Sequence, residues 1–339
     1  MPKDTDHQRS IAVVGATGAV GAEVLSILQK RGCTPAQIRC YGSERSAGRI
    51  IPYGGSELTV HPLEQITADP PDFALLCADA TTARRVLAML RDAKSVLIDN
   101  SSAFRMESDV PLVIPEVNGE TVEGSSRLIA NPNCSTIMLV RAIDPLKRAF
   151  GLRGITVTTY QAVSGAGRAG IDELYEQTSA AIDGRTVEPA VFPVTCAFNV
   201  FEHESEIDPQ TGFNGEETKM VLETRRILAS PDLPVLPTCV RVPVERAHAQ
   251  SVIVDLDRAV TVEMVRETLV AGGVALCPTG SVLTPRLAAG KDDVVVGRVR
   301  LDPSSDGNRV LLWICCDQIR KGAAMNAVQL MDLSESLAR

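Results

Sequence analysis

Cys134 differs from the other eight cysteines of the chain in its setting. It lies in Asn131-Pro-Asn-Cys-Ser-Thr136, after the apolar run 128–130 and before the amphipathic stretch 135–150. A thiol at the start of a helix has its thiolate stabilised by free amides and the positive end of the macrodipole. Asn133 could then help bind an oxyanion formed beside the sulfur. The same six residues also suit a plain N-cap turn, with Asn133 or Ser135 capping and the cysteine buried. Spacing alone leaves both readings open.

A second chemical signal is Gly15-Ala-Thr-Gly-Ala-Val-Gly21, between the β-branched run 11–15 and the helical pattern 19–30. G-x-x-G-x-x-G at a first strand-to-helix turn is a variant of the dinucleotide fingerprint. Gly15 permits the tight turn, Gly18 lets backbone approach a pyrophosphate, and Gly21 allows close packing of helix on strand. The helix start offers N–H groups to the phosphates. At the end of the second strand stands Tyr41-Gly-Ser-Glu-Arg-Ser-Ala-Gly48. Glu44 could hold a ribose 2′-hydroxyl, as in NAD enzymes, whereas Arg45 and Ser46 offer a guanidinium and a hydroxyl to a 2′-phosphate. The pair favours NADP.

The elements that must carry these residues change character midway. Apolar runs at 38–41, 73–78, 96–99 and 128–130 alternate with helical patterns at 19–30 and 83–92, the grammar of a parallel α/β sheet. Residues 57–60 read as an antiparallel excursion. Beyond the helix at 135–150, β-rich runs at 155–162, 235–242, 250–256, 294–300 and 309–318 are mixed with helices near 168–182, 216–228 and 262–269. That pattern predicts an α+β domain on a mixed or antiparallel sheet. Segments 183–189 and 202–214 read as loops, and 322–337 is helical again. The expected fold is α/β: a Rossmann-type dinucleotide-binding domain, 1–133 joined by 322–339, plus an α+β catalytic and dimerisation domain, 134–321.

Composition narrows the function classes. The 339 residues carry 34 basic and 42 acidic side chains, a formal charge of −8. Such a chain has no bulk attraction for nucleic acid or an anionic membrane, so an anionic ligand needs a local cluster of cations. No run reaches the ~18 apolar residues that span a bilayer, and the polar start shows no secretory pattern. Nine scattered cysteines without C-x-x-C spacing suggest neither zinc nor a disulfide framework. The expectation is a soluble, cytoplasmic, two-domain protein with no metal, no nucleic-acid partner and no membrane.

The motifs taken in order are more specific. GATGAVG at 15–21, SERSAG at 43–48, NSSAFRM at 100–106, VPLVIPEVN at 110–118, NPNCST at 131–136, YQAVSGAG at 160–167, EETKM at 216–220 and RVPVERAH at 241–248 are followed by KGAAMNAVQL at 321–330. Together they resemble the aspartate-β-semialdehyde dehydrogenase family over essentially the whole chain. The resemblance implies NADP-dependent reductive dephosphorylation of L-aspartyl-4-phosphate to the 4-semialdehyde, and the reverse, in biosynthesis of lysine, threonine, methionine and diaminopimelate. It implies Cys134 as nucleophile and thioester carrier, His248 as general acid/base and Gln161 as the group orienting the carbonyl. Arg241 would grip the substrate carboxylate, Glu216 the amino group, and Arg105 and Lys219 the phosphate. Thr17, Gly18, Ala19, Val20, Arg45, Ser46, Ser164, Gly165 and Asn326 would line the NADP site, and a homodimer is expected.

Each of these residues has a plainer reading when taken alone. His248 would be a surface residue, Arg241 a strand-end ion-pair partner, Glu216 and Lys219 an exposed helical pair, and Arg105 a loop charge. The N-acetyl-γ-glutamyl-phosphate reductases are the rival enzymes; their cysteine motif has Gly before Cys, where Asn133 stands here. A non-enzymatic paralogue would lack the set of Cys134, His248, Gln161 and Arg241. One departure from the resembled pattern is Leu76-Cys-Ala-Asp-Ala-Thr-Thr82, where a small Ser-Ala-Gly-Gly type turn is usual. Asp79 there sets a negative charge where the cofactor is expected.

Overall fold

The structure, a computed structural model, describes residues 9–337. These divide into two compact units, one formed by 9–115, 119–132 and 324–337, the other by 116–118 and 133–323.

In the first unit β1 (Ile11–Val14), α1 (Ala19–Lys30), β2 (Ile38–Gly42), β3 (Ile50–Tyr53), β4 (Ser56–Pro62), β5 (Phe73–Leu76), α2 (Ala80–Met89), β6 (Val96–Asp99) and β7 (Leu128–Ala130) follow in chain order; the short α3 (Pro115–Asn118), between the last two, lies in the second unit from residue 116 on. The seven strands lie in the order β3-β4-β2-β1-β5-β6-β7. All neighbours are parallel except the β3–β4 hairpin. The expected antiparallel excursion is therefore half right: β4 is antiparallel to β3 but joins β2 in parallel, Cys40 opposite Val60. β1 and β5 are buried at every position, as strands covered on both faces must be.

The second unit contains α4 (Cys134–Phe150), β8 (Gly154–Gln161), α5 (Gly167–Ile182), β9 (Phe201–Glu202), α6 (Gly215–Ile227), β10 (Val235–Arg241), β11 (His248–Asp255), α7 (Val262–Ala271), β12 (Ala275–Leu276), α8 (Pro285–Ala288), β13 (Val295–Leu301) and β14 (Arg309–Cys316). Its sheet runs β12-β13-β14-β11-β8-β10-β9. It is mixed: β8 is parallel to β10 and antiparallel to β11. Ser135 through Leu146 of α4 are all buried, and the one basic side chain among them, Arg141, is satisfied by the Gly272 and Gly273 carbonyls. The last helix, α9 (Met325–Leu337), belongs to the first unit, where Ala327, Val328, Leu330 and Met331 join the same core as Leu28 and Ile98.

Strand register decides where the polar residues of the second unit go. Arg241 pairs with Gln161 at the C-terminal ends of two parallel strands. Gln250 pairs with Thr159 across the antiparallel β8–β11 ladder, so His248, two residues earlier, shares a face with Gln161, two residues later. Buried Ile155, Val157, Thr159 and Gln161 on β8 alternate with less buried neighbours and mark that face.

Candidate active site

Cys134 is the first residue of α4 and is half-buried, whereas Cys315 and Cys316 are fully buried. Asn133 is the N-cap: its Oδ1 accepts the Ser135 and Thr136 N–H groups at 2.9 and 3.3 Å. Its Nδ2 donates to Glu216 Oε1 at 2.9 Å. The two readings of this turn are thus combined, a capped helix start with an accessible thiol. Gly322 backs the cysteine closely, since a Cβ there would lie 3.0 Å from Cys134 Cβ.

Gln161 Nε2 donates to Ser135 Oγ at 3.0 Å and to Glu216 Oε1 at 3.3 Å. Gln250 Nε2 donates to the Ser135 carbonyl at 2.9 Å, which fixes the first turn of α4 over the sheet face carrying Gln161. Glu216 stands in the first turn of α6, whose N-cap Asn214 forms a capping box with Glu217. Its other oxygen accepts from Lys219 Nζ at 3.2 Å. Burial opposes ionisation of Glu216, but Lys219, His203 and the Asn133 amide outweigh it and hold the carboxyl down to about 2. It is a carboxylate throughout the physiological range.

His248 is fully buried, and the Ala162 backbone N–H donates to its Nδ1 at 3.0 Å. With Nδ1 accepting, the neutral ring carries its proton on Nε2, which has no hydrogen-bond partner among the described residues. Burial, reinforced by the Arg241 charge, pushes the imidazole down to about 3, so it rests uncharged. Gly165 allows this crowding: a Cβ there would stand 3.1 Å from Arg241 Nη1 and 3.6 Å from His248 Cε1. Ser164, beside it, accepts a hydrogen bond at Oγ from Gln318. Arg241 itself is buried, pairs with Glu204, and donates from Nη1 to the Ala162 carbonyl at 3.0 Å.

Arg105 belongs to the first unit. It is buried and donates from Nε to the Asn131 carbonyl at 3.0 Å and from Nη2 to the Asn100 carbonyl at 2.9 Å. Asn326, in α9, is buried too, with Nδ2 donating to Val113 O and Asn131 Oδ1.

The glycine-rich turn opens on a cavity of about 690 Å³ within the first unit, lined by Gly15, Thr17, Gly18, Glu44, Arg45 and Ser46 among others. Ala19, Val20 and Gly21 form the helix start behind that wall. Gly15 has φ +80°, and a Cβ on it would meet Cys77 O at 2.4 Å; one on Gly21 would meet Gly15 O at 2.3 Å. Both positions require glycine. No side chain caps α1, so its first N–H groups are free to receive phosphate. The cradle fits a dinucleotide. Asp79 also lines it, and its charge has a local purpose: it caps α2, accepting the Thr82 N–H at 2.9 Å. Among the described residues no group of three or more His, Cys, Asp or Glu side chains could hold a metal ion, and no helix is long and apolar enough to cross a membrane.

Besides Gln250, three further polar residues of the second unit belong to this network without being among those the motifs single out. Glu223, 1% exposed, accepts the Asn133 backbone N–H. Its spacing from Glu216 and Lys219, seven and four residues, puts all three on one face of α6, and that periodicity was the available signal. Glu204 and His203 contact Arg241 from the loop after β9, and nothing local announces them.

A Rossmann-type unit with a glycine cradle, joined to a mixed-sheet unit rich in buried polar groups, defines a dinucleotide-dependent oxidoreductase. Residues 10–125 match the family model described as semialdehyde dehydrogenase, NAD binding domain, and 143–321 match semialdehyde dehydrogenase, dimerisation domain. The chain is 40% identical over 332 residues to an aspartate-semialdehyde dehydrogenase of Prochlorococcus marinus, covering 97% of this chain and 96% of the relative. It is 39% identical to the Bacillus subtilis protein of that name, covering 96% and 97%. The crystal structure of aspartate semialdehyde dehydrogenase II from Vibrio cholerae, complexed with ASA, superposes with a TM-score of 0.93 at 40% identity, covering 98% of this chain and 99% of that one. The chain belongs to the aspartate-semialdehyde dehydrogenase family.

Proposed function

We propose that the protein interconverts L-aspartyl-4-phosphate and L-aspartate 4-semialdehyde with NADP(H), through a thioester on Cys134, in cytoplasmic synthesis of the aspartate-derived amino acids lysine, threonine, methionine and diaminopimelate. The observation that carries this reading is Cys134 at the start of α4, beside Asn133 and over the sheet face bearing Gln161 and His248. The named relatives support the substrate, and the family model of residues 143–321 supports a homodimer.

In the oxidative direction the Cys134 sulfur adds to the aldehyde carbon and the carbonyl oxygen takes a proton. His248 holds a proton at Nε2 for that oxygen and is the general acid/base of the step. Gln161 orients the oxygen, and the α4 N-terminus with Asn133 lowers the cost of the thiolate. The turn at Gly15–Gly21, with Arg45 and Ser46 on the 2′-phosphate, would hold NADP, whose nicotinamide would accept the hydride (and return it in the reductive direction), while His248 takes back the oxygen's proton as the thioester forms. Phosphate, held by Arg105 and Lys219, then attacks the thioester carbon and the thiolate leaves. The covalent route divides one difficult reduction of an acyl phosphate into two easier steps. Arg241 and Glu216 bind the substrate carboxylate and ammonium.

The test is reduction of NADP on mixing aspartate semialdehyde and inorganic phosphate with the protein. Turnover requiring both, and lost in Cys134→Ser, is expected. Undiminished turnover in Cys134→Ser would remove the thioester route, and none with the native protein would remove the substrate.

A further inference from the structure

Arg241 does not wait with an empty fork. Nε and Nη2 both donate to Glu204, at 3.3 and 2.5 Å, so one whole edge of the guanidinium is taken by a carboxylate. Nη1 donates to Ala162 O at 3.0 Å, and Nη2 lies 3.1 Å from His203 Nε2. The Phe192 ring covers the guanidinium at 5.3 Å. The Nη1–Nη2 edge faces the Ala162 carbonyl and the His203 ring, so the edge open to a bidentate carboxylate is the one Glu204 holds. A ligand that binds Arg241 in bidentate fashion must displace Glu204.

Glu204 is suited to being displaced. It follows the two-residue strand β9 and its side chain is 24% exposed, against 2% for Arg241. It can turn into water and recover hydration, whereas Arg241 cannot. Burial would raise the Glu204 carboxyl, but the hydrogen bond and charge of Arg241 prevail and lower it, so it stays ionised. An unpaired Arg241 in this position would be costly, and its planar fork fits phosphate as readily as carboxylate.

We infer that Glu204 is a specificity-determining residue: it occupies the Arg241 fork in place of the substrate carboxylate, keeps inorganic phosphate off that fork, and yields to the amino-acid carboxylate. This rests on the reading of Arg241 as the carboxylate-binding group in a reaction that also consumes phosphate. A protein that must bind two different oxyanions at once gains from a resident carboxylate at the site meant for only one of them. The accompanying cost is weaker binding of the correct ligand, because the internal pair competes with it.

Calorimetric titration with L-2-aminobutyrate, which has the substrate's carboxylate and ammonium but no reactive carbon at position 4, tests this without turnover. Glu204→Gln and Glu204→Ser should bind it roughly 3- to 30-fold more tightly than the native protein, the range of a partly exposed charge-assisted pair. Inorganic phosphate should compete with it in both variants and not in the native protein. Unchanged or weaker binding in both variants, or phosphate competition already present in the native protein, would overturn the inference. Since the titration needs no chemistry, tightening in the variants beside an absence of turnover with aspartate semialdehyde would remove the functional reading alone.

Discussion

Glu223 and Asn133 are 90 residues apart in the chain, yet Glu223 Oε2 accepts the Asn133 backbone N–H at 2.6 Å. Asn133 also donates its side-chain amide to Glu216. Two carboxylates two turns apart on α6 therefore fix the residue that precedes Cys134. The tertiary packing of α6 against α4, rather than the cap alone, sets where the thiol stands.

Glu223→Ala should strand a buried N–H, and we predict a loss of about 1 to 3 kcal/mol in urea unfolding. Glu223→Gln keeps an acceptor of the same shape and should lose less. Equal losses in the two variants would show that the charge, and not the hydrogen bond, is what counts.

Cys134 should be alkylated before the cysteines that burial keeps protonated. Burial pushes Cys40, Cys77 and Cys315 up to about 12 and raises Cys239 and Cys316 as well, leaving them protonated near neutral pH. Limited iodoacetamide treatment followed by peptide mass mapping should find Cys134 modified ahead of these five, with loss of turnover in step. Activity surviving full modification of Cys134 would contradict its role.

Which parts of this were legible in the sequence follows from the range of the interactions. The glycine turn and the start of α4 are written in contiguous residues, because a positive φ and a free N–H are local demands. The partners of α4's first turn are not, since Glu223, Gln161 and Gln250 arrive only when α6 and the sheet pack on it. By position in the sequence Asp79 is a charge near a cofactor, but it caps α2, so the helix begins at Ala80 and not at 83. An Asp placed just before a helical pattern is itself an N-cap signal. The β4 pattern likewise showed a strand, but not that it would extend the parallel sheet.

Arg45→Ala tests the nucleotide preference. Arg45 lines the cavity with Ser46, whose Oγ donates to the Ser43 carbonyl at 3.0 Å, and with Glu44. The variant should raise KM for NADP by roughly 10-fold or more and leave KM for NAD nearly unchanged, the loss of one charge-assisted phosphate contact. A native protein with the lower KM for NAD would mean that Glu44 holds a ribose hydroxyl.

Arg105→Lys and Arg241→Lys should fail differently. Lysine lacks the planar fork, so each variant should lose roughly 30- to 1000-fold in kcat/KM, about 2 to 4 kcal/mol. For Arg241→Lys the loss should fall on the semialdehyde, and for Arg105→Lys on phosphate. Saturation curves in which each substrate is varied separately distinguish them; an Arg241 variant impaired mainly toward phosphate would reverse the assignment.

His248 should also leave a mark on stability. Its imidazole titrates near 6.5 in an unfolded chain but is held down to about 3 by burial and by Arg241. Between those values the unfolded state binds the extra proton and the folded state does not, so acid favours unfolding. This contribution is fully present above about pH 6.5 and is lost progressively as pH falls toward 3. The matching loss from Glu216, held down to about 2, begins only below its ordinary value near 4.5. Burial lowers His203 as well, so it contributes over the same interval, and urea unfolding at about pH 7 and pH 5.5 is therefore compared with that of His248→Asn, which keeps His203. The native protein should lose roughly 1.3 kcal/mol more than His248→Asn across that interval. Equal losses would mean that His248 takes up its proton in the folded state, and that the Ala162 N–H does not hold Nδ1 as an acceptor.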